Sequence, residues 1–125
     1  VTGIVLVTHA GLGESLRHQS EVILGHMVQL TTVSIDYGAD PDQALIELVG
    51  ALTISADVSG CVVLTDLPGA TPHNLAMRAA ESRSMPVVSG LNLPMLLKAI
   101  NHSDKPPHEL AALASLGGHQ GIINS

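Results

Sequence analysis

Four short runs of β-branched and aliphatic residues punctuate the chain: Ile4-Val5-Leu6-Val7, Leu30 to Ile35, Cys61-Val62-Val63-Leu64 and Pro86-Val87-Val88. Between them lie longer stretches in which apolar positions recur every three or four residues. Alternation of strand-like runs with amphipathic helices is the pattern of an α/β fold built on a mainly parallel sheet. The helices are expected over about Leu12 to Leu24, from Pro41 onward, from Thr71-Pro72 to about Ser84, after Pro94, and from Pro107 through Leu116 to a stop at Gly117-Gly118. In the first of these Leu16, Ile23 and Leu24 are expected to point inward. The second has the clearest start, with Asp40 as N-cap, Pro41 in the first turn and Ala44, Leu45, Leu48, Val49 and Leu52 on one face. Ile122-Ile123 is a candidate for a fifth, terminal strand.

At 125 residues the chain has the length of one domain, 1–125, large enough to bury a core. One Tyr and no Phe or Trp leave that core to branched aliphatic side chains, which suits a buried parallel sheet. A net charge of −6 with only five Lys and Arg argues against a nucleic-acid partner, whose phosphates require clustered basic groups. The lone Cys61 reads as a small buried hydrophobe. No apolar run is long enough to span a bilayer and no signal-peptide pattern opens the chain, so a cytoplasmic protein without direct membrane insertion is expected.

Ligands of open α/β sheets gather beyond the carboxyl ends of the strands, where strand order reverses. Strand one ends in Val7-Thr8-His9-Ala10-Gly11 and strand three in Leu64-Thr65-Asp66-Leu67-Pro68-Gly69. If these strands are neighbours, as in a flavodoxin-like order, His9 and Asp66 face each other across that crevice. A carboxylate bonded to one imidazole nitrogen fixes the tautomer and leaves the other nitrogen as a nucleophile. Thr71 reads as the N-cap of the third helix and Pro72 as its first residue. The amides around Gly69, Ala70 and Thr71, with the Thr71 hydroxyl, then form an anion cradle, and Gly11 and Gly13 open a second helix N-terminus beside His9.

Three stretches in the right order resemble the mannose-family enzyme IIA domains of bacterial phosphotransferase systems: Gly3-Ile4-Val5-Leu6-Val7-Thr8-His9-Ala10, the segment from Leu64 through Asp66-Leu67-Pro68-Gly69-Ala70-Thr71-Pro72-His73-Asn74 to Ala76, and Ser89-Gly90-Leu91-Asn92-Leu93-Pro94-Met95-Leu96. The resemblance covers essentially the whole chain. It implies a three-layer, flavodoxin-like sheet of order 2-1-3-4 with helices on both faces and an added edge strand 5. It further implies a His9 that accepts a phosphoryl group from the histidine-containing phosphocarrier protein, with Asp66 in support. Onward donation goes to a IIB domain and then to sugar, and members commonly form homodimers through their C-terminal strands. Where many transport members carry an aromatic residue and Gly-Gly-Ser after the aspartate, this chain has Leu67-Pro68-Gly69-Ala70-Thr71, which leaves open a regulatory target in place of a IIB domain. A phosphocarrier subunit of dihydroxyacetone kinase, whose first domain is similar, is a further alternative.

Of the remaining histidines, His18, His26, His102, His108 and His119 read as surface or capping residues, whereas His73 either lines the mouth of the site or packs on the helix surface. Asp36 borders the crevice by position alone, and Asn92-Leu93-Pro94-Met95 reads as a turn and packing segment. No histidine pair has ligand spacing and one cysteine cannot build a thiolate site, so neither metal nor cofactor is expected. A flavin carrier would want aromatic stacking surfaces, and a receiver domain an acidic pair after strand one. Neither is in the sequence.

Overall fold

The computed structural model describes residues 1–125. Four strands, β1 (Gly3–His9), β2 (Thr31–Ile35), β3 (Cys61–Thr65) and β4 (Val87–Ser89), form one parallel sheet in the order β2-β1-β3-β4. The helices are α1 (Leu12–Leu24), α2 (Pro41–Ala56), α3 (Thr71–Glu81), α4 (Leu93–Asn101) and α5 (Pro107–Gln120). Side-chain alternation along the strands divides the core in two. Val5, Val7, Cys61 and Val63 pack against Leu48 and Leu52 of α2 and Leu75 and Ala76 of α3. Ile4, Leu6, Val62 and Leu64 point the other way, toward Leu96 of α4, Leu110 of α5 and the partly buried Leu16 of α1. Both faces of β3 are therefore closed, and all five of its residues are buried. That is why its sequence is continuously apolar rather than alternating.

The helix starts follow local chemistry. The Asp40 carboxylate accepts the Asp42 N–H at 3.3 Å, and the Asn92 side chain accepts the Met95 N–H at 2.9 Å while its own amide donates to the Gly118 carbonyl at 3.2 Å. Asn92 thereby caps α4 and fastens it to α5. Cys61 is wholly buried, with its thiol directed at Met85 Sδ (3.4 Å). Burial pushes that thiol up to about 11 against a smaller opposing pull from Arg83, which makes it inert as a nucleophile.

Three expectations are corrected. Residues 122–125 form no strand, and Ile122 and Ile123 are exposed. Ile23 is 55% exposed, because the buried positions of α1 are the small residues Gly13 and Ser20. Gly117-Gly118 does not stop α5, which continues to Gln120. These glycines serve a close helix–helix approach instead: a Cβ on Gly117 would lie 2.6 Å from Lys98 Cβ and 3.3 Å from the Pro94 carbonyl oxygen of α4. Gly117→Ala is expected to destabilise the fold by about 1–3 kcal/mol through overpacking, measured by denaturant titration. Helix propensity alone predicts the opposite sign.

Candidate active site

Parallel pairing in register sets Val7 of β1 beside Thr65 of β3, so the next residues of both strands emerge together at the carboxyl edge of the sheet. There Asp66 Oδ2 receives two hydrogen bonds from His9, one from its main-chain N–H at 2.9 Å and one from ring Nδ1 at 2.7 Å. Oδ1 accepts the Leu67 N–H at 3.0 Å. Burial pushes the Asp66 carboxyl up, but the His9 main-chain and ring bonds, the His9 charge and the local backbone amide outweigh it, and its pKa falls below the ordinary carboxylate range. An ionised carboxylate only accepts, so Nδ1 bears a proton, and in the neutral ring it is Nε2 that carries the lone pair. The His9 side chain is 53% exposed and that of Asp66 only 7%. The carboxylate is buried and the imidazole faces outward.

Thr8 fixes the base of this arrangement from the opposite face of β1. Its buried hydroxyl donates to the His9 carbonyl at 2.8 Å and accepts the Gly13 N–H at 2.9 Å. The start of α1 is thus tied to the end of β1, and one of the amides expected to face an anion there is already engaged. The neighbouring Glu14 carboxyl is held below its usual range by its own main-chain N–H and by the Ser34 hydroxyl, to which both its oxygens bond at 2.9 and 3.0 Å. A carboxylate over the first turn of α1 makes that helix end a poor anion site.

The start of α3 is different. Leu67-Pro68-Gly69-Ala70 forms a tight turn closed by Ala70 N–H to the Leu67 carbonyl (3.2 Å), with Pro68 and the positive φ of Gly69 (82°) at the two positions that suit a type II turn. Asn74 Nδ2 holds the Gly69 carbonyl at 3.1 Å. The turn ends at Ala70, which is the N-cap, and Thr71 is the first helical residue rather than the cap. Proline fits either of the first helical positions, so Pro72 does not mark the boundary; the Asn74 N–H to Ala70 carbonyl bond does (3.0 Å). No side chain caps this helix. The Ala70 amide is spent on the turn, while those of Thr71 and His73 have no main-chain partner and point out of the helix end. The structure therefore brings His9 and Asp66 together, sets Gly69 and Ala70 in the adjoining turn and Thr71 at the first position of α3, and adds the His73 amide, which the sequence reading did not name although a helix capped at either Ala70 or Thr71 leaves it open.

The other histidines divide cleanly. His26, His102 and His108 each bond a main-chain carbonyl, of Met27, Lys98 and Ser84 respectively. His73 instead bonds a buried side chain, Thr65 Oγ1, at 3.0 Å. Asp36 is exposed just beyond β2. A cavity of about 1050 Å³ opens at the amino end of the sheet and is lined by residues such as Gly3, Arg17, Met27 and Ile54. Its Arg17 guanidinium is turned onto the Val28 carbonyl (3.4 Å) and its Thr31 and Ser55 hydroxyls face each other at 3.3 Å. These polar groups of the lining are already engaged, and the His9 site shares none of the lining.

A carboxyl whose folded pKa lies below its unfolded value adds stability that is fully present above about pH 4 and is lost as pH falls through the folded value. Asp66→Asn is accordingly expected to lower the melting temperature most near neutrality, with the gap to the native chain closing as the solution is acidified below about pH 4. Thermal melts of both chains across that range provide the check, and a gap independent of pH would show that the Asp66 charge is not what holds His9.

Comparison with known proteins identifies the family. The family model described as the PTS system fructose IIA component, EIIA-man, matches residues 3–113. The mannose-specific EIIAB component of Escherichia coli K12 is 31% identical over 123 residues, 95% of this chain, and the corresponding Shigella flexneri protein matches equally. The chain spans 38% of the length of these relatives. Among solved structures, the mannose/sorbose-specific IIA subunit from Enterococcus faecalis superposes with a TM-score of 0.89 at 27% identity, covering 99% of this chain and 94% of that one. The EIIA component from Streptococcus agalactiae gives 0.84 at 25% identity, covering 99% and 97%. With the family model spanning the whole sheet and residues 9 to 73, the chain belongs to the mannose-type EIIA family of the sugar phosphotransferase systems.

Proposed function

We propose that residues 1–125 act as a single phosphohistidine-carrying IIA domain, which accepts a phosphoryl group on His9 Nε2 and passes it on. The observation that carries this is the 2.7 Å bond between His9 Nδ1 and the buried Asp66 carboxylate, beside the uncapped start of α3. The donor is the histidine-containing phosphocarrier protein. As its P–N bond breaks, a P–Nε2 bond forms on His9, and the positive charge gathering on the ring is stabilised by Asp66 through Nδ1–H. The phosphoryl oxygens face the Thr71 and His73 amides and the exposed Thr71 hydroxyl. Transfer to a IIB domain runs the same step in reverse, with Nε2 as leaving group.

An exposed nucleophile outside any deep cavity suits a partner that is itself a protein. The lack of Lys and Arg around His9 also fits a carrier, since strong binding of the phosphorylated state would oppose its onward transfer. No helix is long and apolar enough to cross a membrane, and the proposed donor places the reaction in the cytoplasm. A homodimer is proposed as well. The free side of β4 and the exposed Ile122 and Ile123 are suited to meet their counterparts in a second copy.

Incubation with phosphoenolpyruvate, enzyme I and the phosphocarrier protein is expected to add one acid-labile phosphoryl group to the native chain and none to His9→Ala, read by intact mass. Asp66→Asn is expected to slow the addition about a hundredfold. A native chain that stays unmodified with compatible donors would sink the proposal.

A further inference from the structure

Beside the His9–Asp66 pair stands a second histidine with an unusual partner. Thr65 is the last residue of β3, wholly buried, and immediately precedes Asp66. Its Oγ1 bonds His73 Nδ1 at 3.0 Å, and His73 lies in the first turn of α3, where its main-chain N–H is one of the two left open. Thr65 and His73 thus stand at the two ends of the loop that carries Asp66, the Pro68-Gly69 turn and Thr71. Their hydrogen bond closes that loop at its base.

The pairing is more than space-filling. A buried hydroxyl without a partner costs about 1–3 kcal/mol, and Thr65 has no hydrogen-bonded side chain other than His73. Ser89, its neighbour across the β3–β4 ladder, is of the same small hydroxyl type and has a buried Oγ with no partner at all. Thr65 without His73 would be left in that state. Removing the bond also frees the first turn of α3 to shift against the end of β3, so the Thr71 and His73 amides move relative to a His9 that Asp66 still holds. Preorganised donors lose much of their effect when displaced by a fraction of an ångström to an ångström.

We propose that His73 is a positioning residue for phosphoryl transfer, acting through Thr65 to hold the amides of the α3 N-terminus at the distance His9 requires. This rests on the phosphocarrier reading given above. It assigns His73 no contact with the phosphoryl group through its ring.

Four variants test it: His73→Phe, which keeps an aromatic ring without the nitrogen; Thr65→Val, which keeps the shape without the hydroxyl; the two combined; and His73→Asn, whose amide reaches from about the position of Nδ1. Single-turnover transfer from the phosphorylated carrier protein is measured together with amide hydrogen exchange at residues 70 and 74, whose N–H groups close the Pro68-Gly69 turn and the first turn of α3. His73→Phe and Thr65→Val are each expected to slow transfer roughly tenfold and to speed exchange at both amides. The double variant is expected to lose no more than either single one, because all three remove the same bond, and His73→Asn to recover most of both signals. Single variants that transfer at the native rate with only a lower melting temperature, additive losses in the double variant, or an Asn variant as slow as the Phe variant would each overturn the proposal. If the native chain takes no phosphoryl group, the carrier reading has failed; unchanged exchange at residues 70 and 74 in His73→Phe and Thr65→Val would then overturn the latch separately.

Discussion

The site depends on one carboxylate. Asp66 binds the main chain and the ring of the same residue with a single oxygen, so it fixes where His9 leaves β1 as well as which nitrogen carries the proton. Neither bond is local in sequence, and both exist because β1 and β3 are adjacent and parallel with Val7 opposite Thr65. Adjacency of these strands requires the crossover through α2 and the placement of β2 on the outer side of β1. The fully buried strand β3 is therefore a structural precondition of the chemistry: a slip in its pairing by one residue would turn Asp66 away from His9.

The frame was legible because parallel strands covered on both faces leave an unambiguous trace. Cys61 to Leu64 admits no amphipathic helix of useful length, and Asp40-Pro41 and the Pro68-Gly69 pair mark boundaries by backbone chemistry that acts within a few residues. The His9–Asp66 pairing was legible for a related reason, since topology alone sends both residues to the same crevice. What escaped reading depended on contacts between distant segments. Gly117 and Gly118 look like a helix end, yet they are interior to α5 because Lys98 and Pro94 of α4 need the space. Ile23 follows a helical apolar period, but α1 approaches the sheet through Gly13 and Ser20, and a small residue at an interface has no hydrophobic signature. Thr71 resembled a cap because Thr commonly is one; the turn that ends at Ala70 took that position.

The two helix N-termini near His9 show how one fold can hold two dipole ends and leave only one for an anion. At α1 the Gly13 amide is satisfied by Thr8 and a carboxylate, Glu14, already sits over the first turn. At α3 the capping position is an alanine, which has nothing to offer the amides beyond it. An alanine cap costs the helix stability relative to Ser, Thr, Asp or Asn. That cost is consistent with function when the vacant donors belong to a transient ligand, and the turn that precedes them, with the Asn74 bond to Gly69, compensates by fixing the loop from outside the helix.

Under the proposed function the exposure of the His9 ring has a physical reason as well. A carrier meets its donor and its acceptor with one atom, so that atom must protrude far enough to enter a partner's site while its orientation stays fixed. Burying Asp66 and exposing His9 separates the two requirements: the oriented, low-dielectric bond lies at Nδ1, and Nε2 reaches out on the far side of a rigid ring about 2 Å across. The ring transmits orientation from the interior to the surface without carrying the interior with it. A flexible nucleophile, such as a lysine amine, could not be held by a bond on one side and used on the other, and under the proposed function this is the physical reason an imidazole rather than an amine stands at the end of β1.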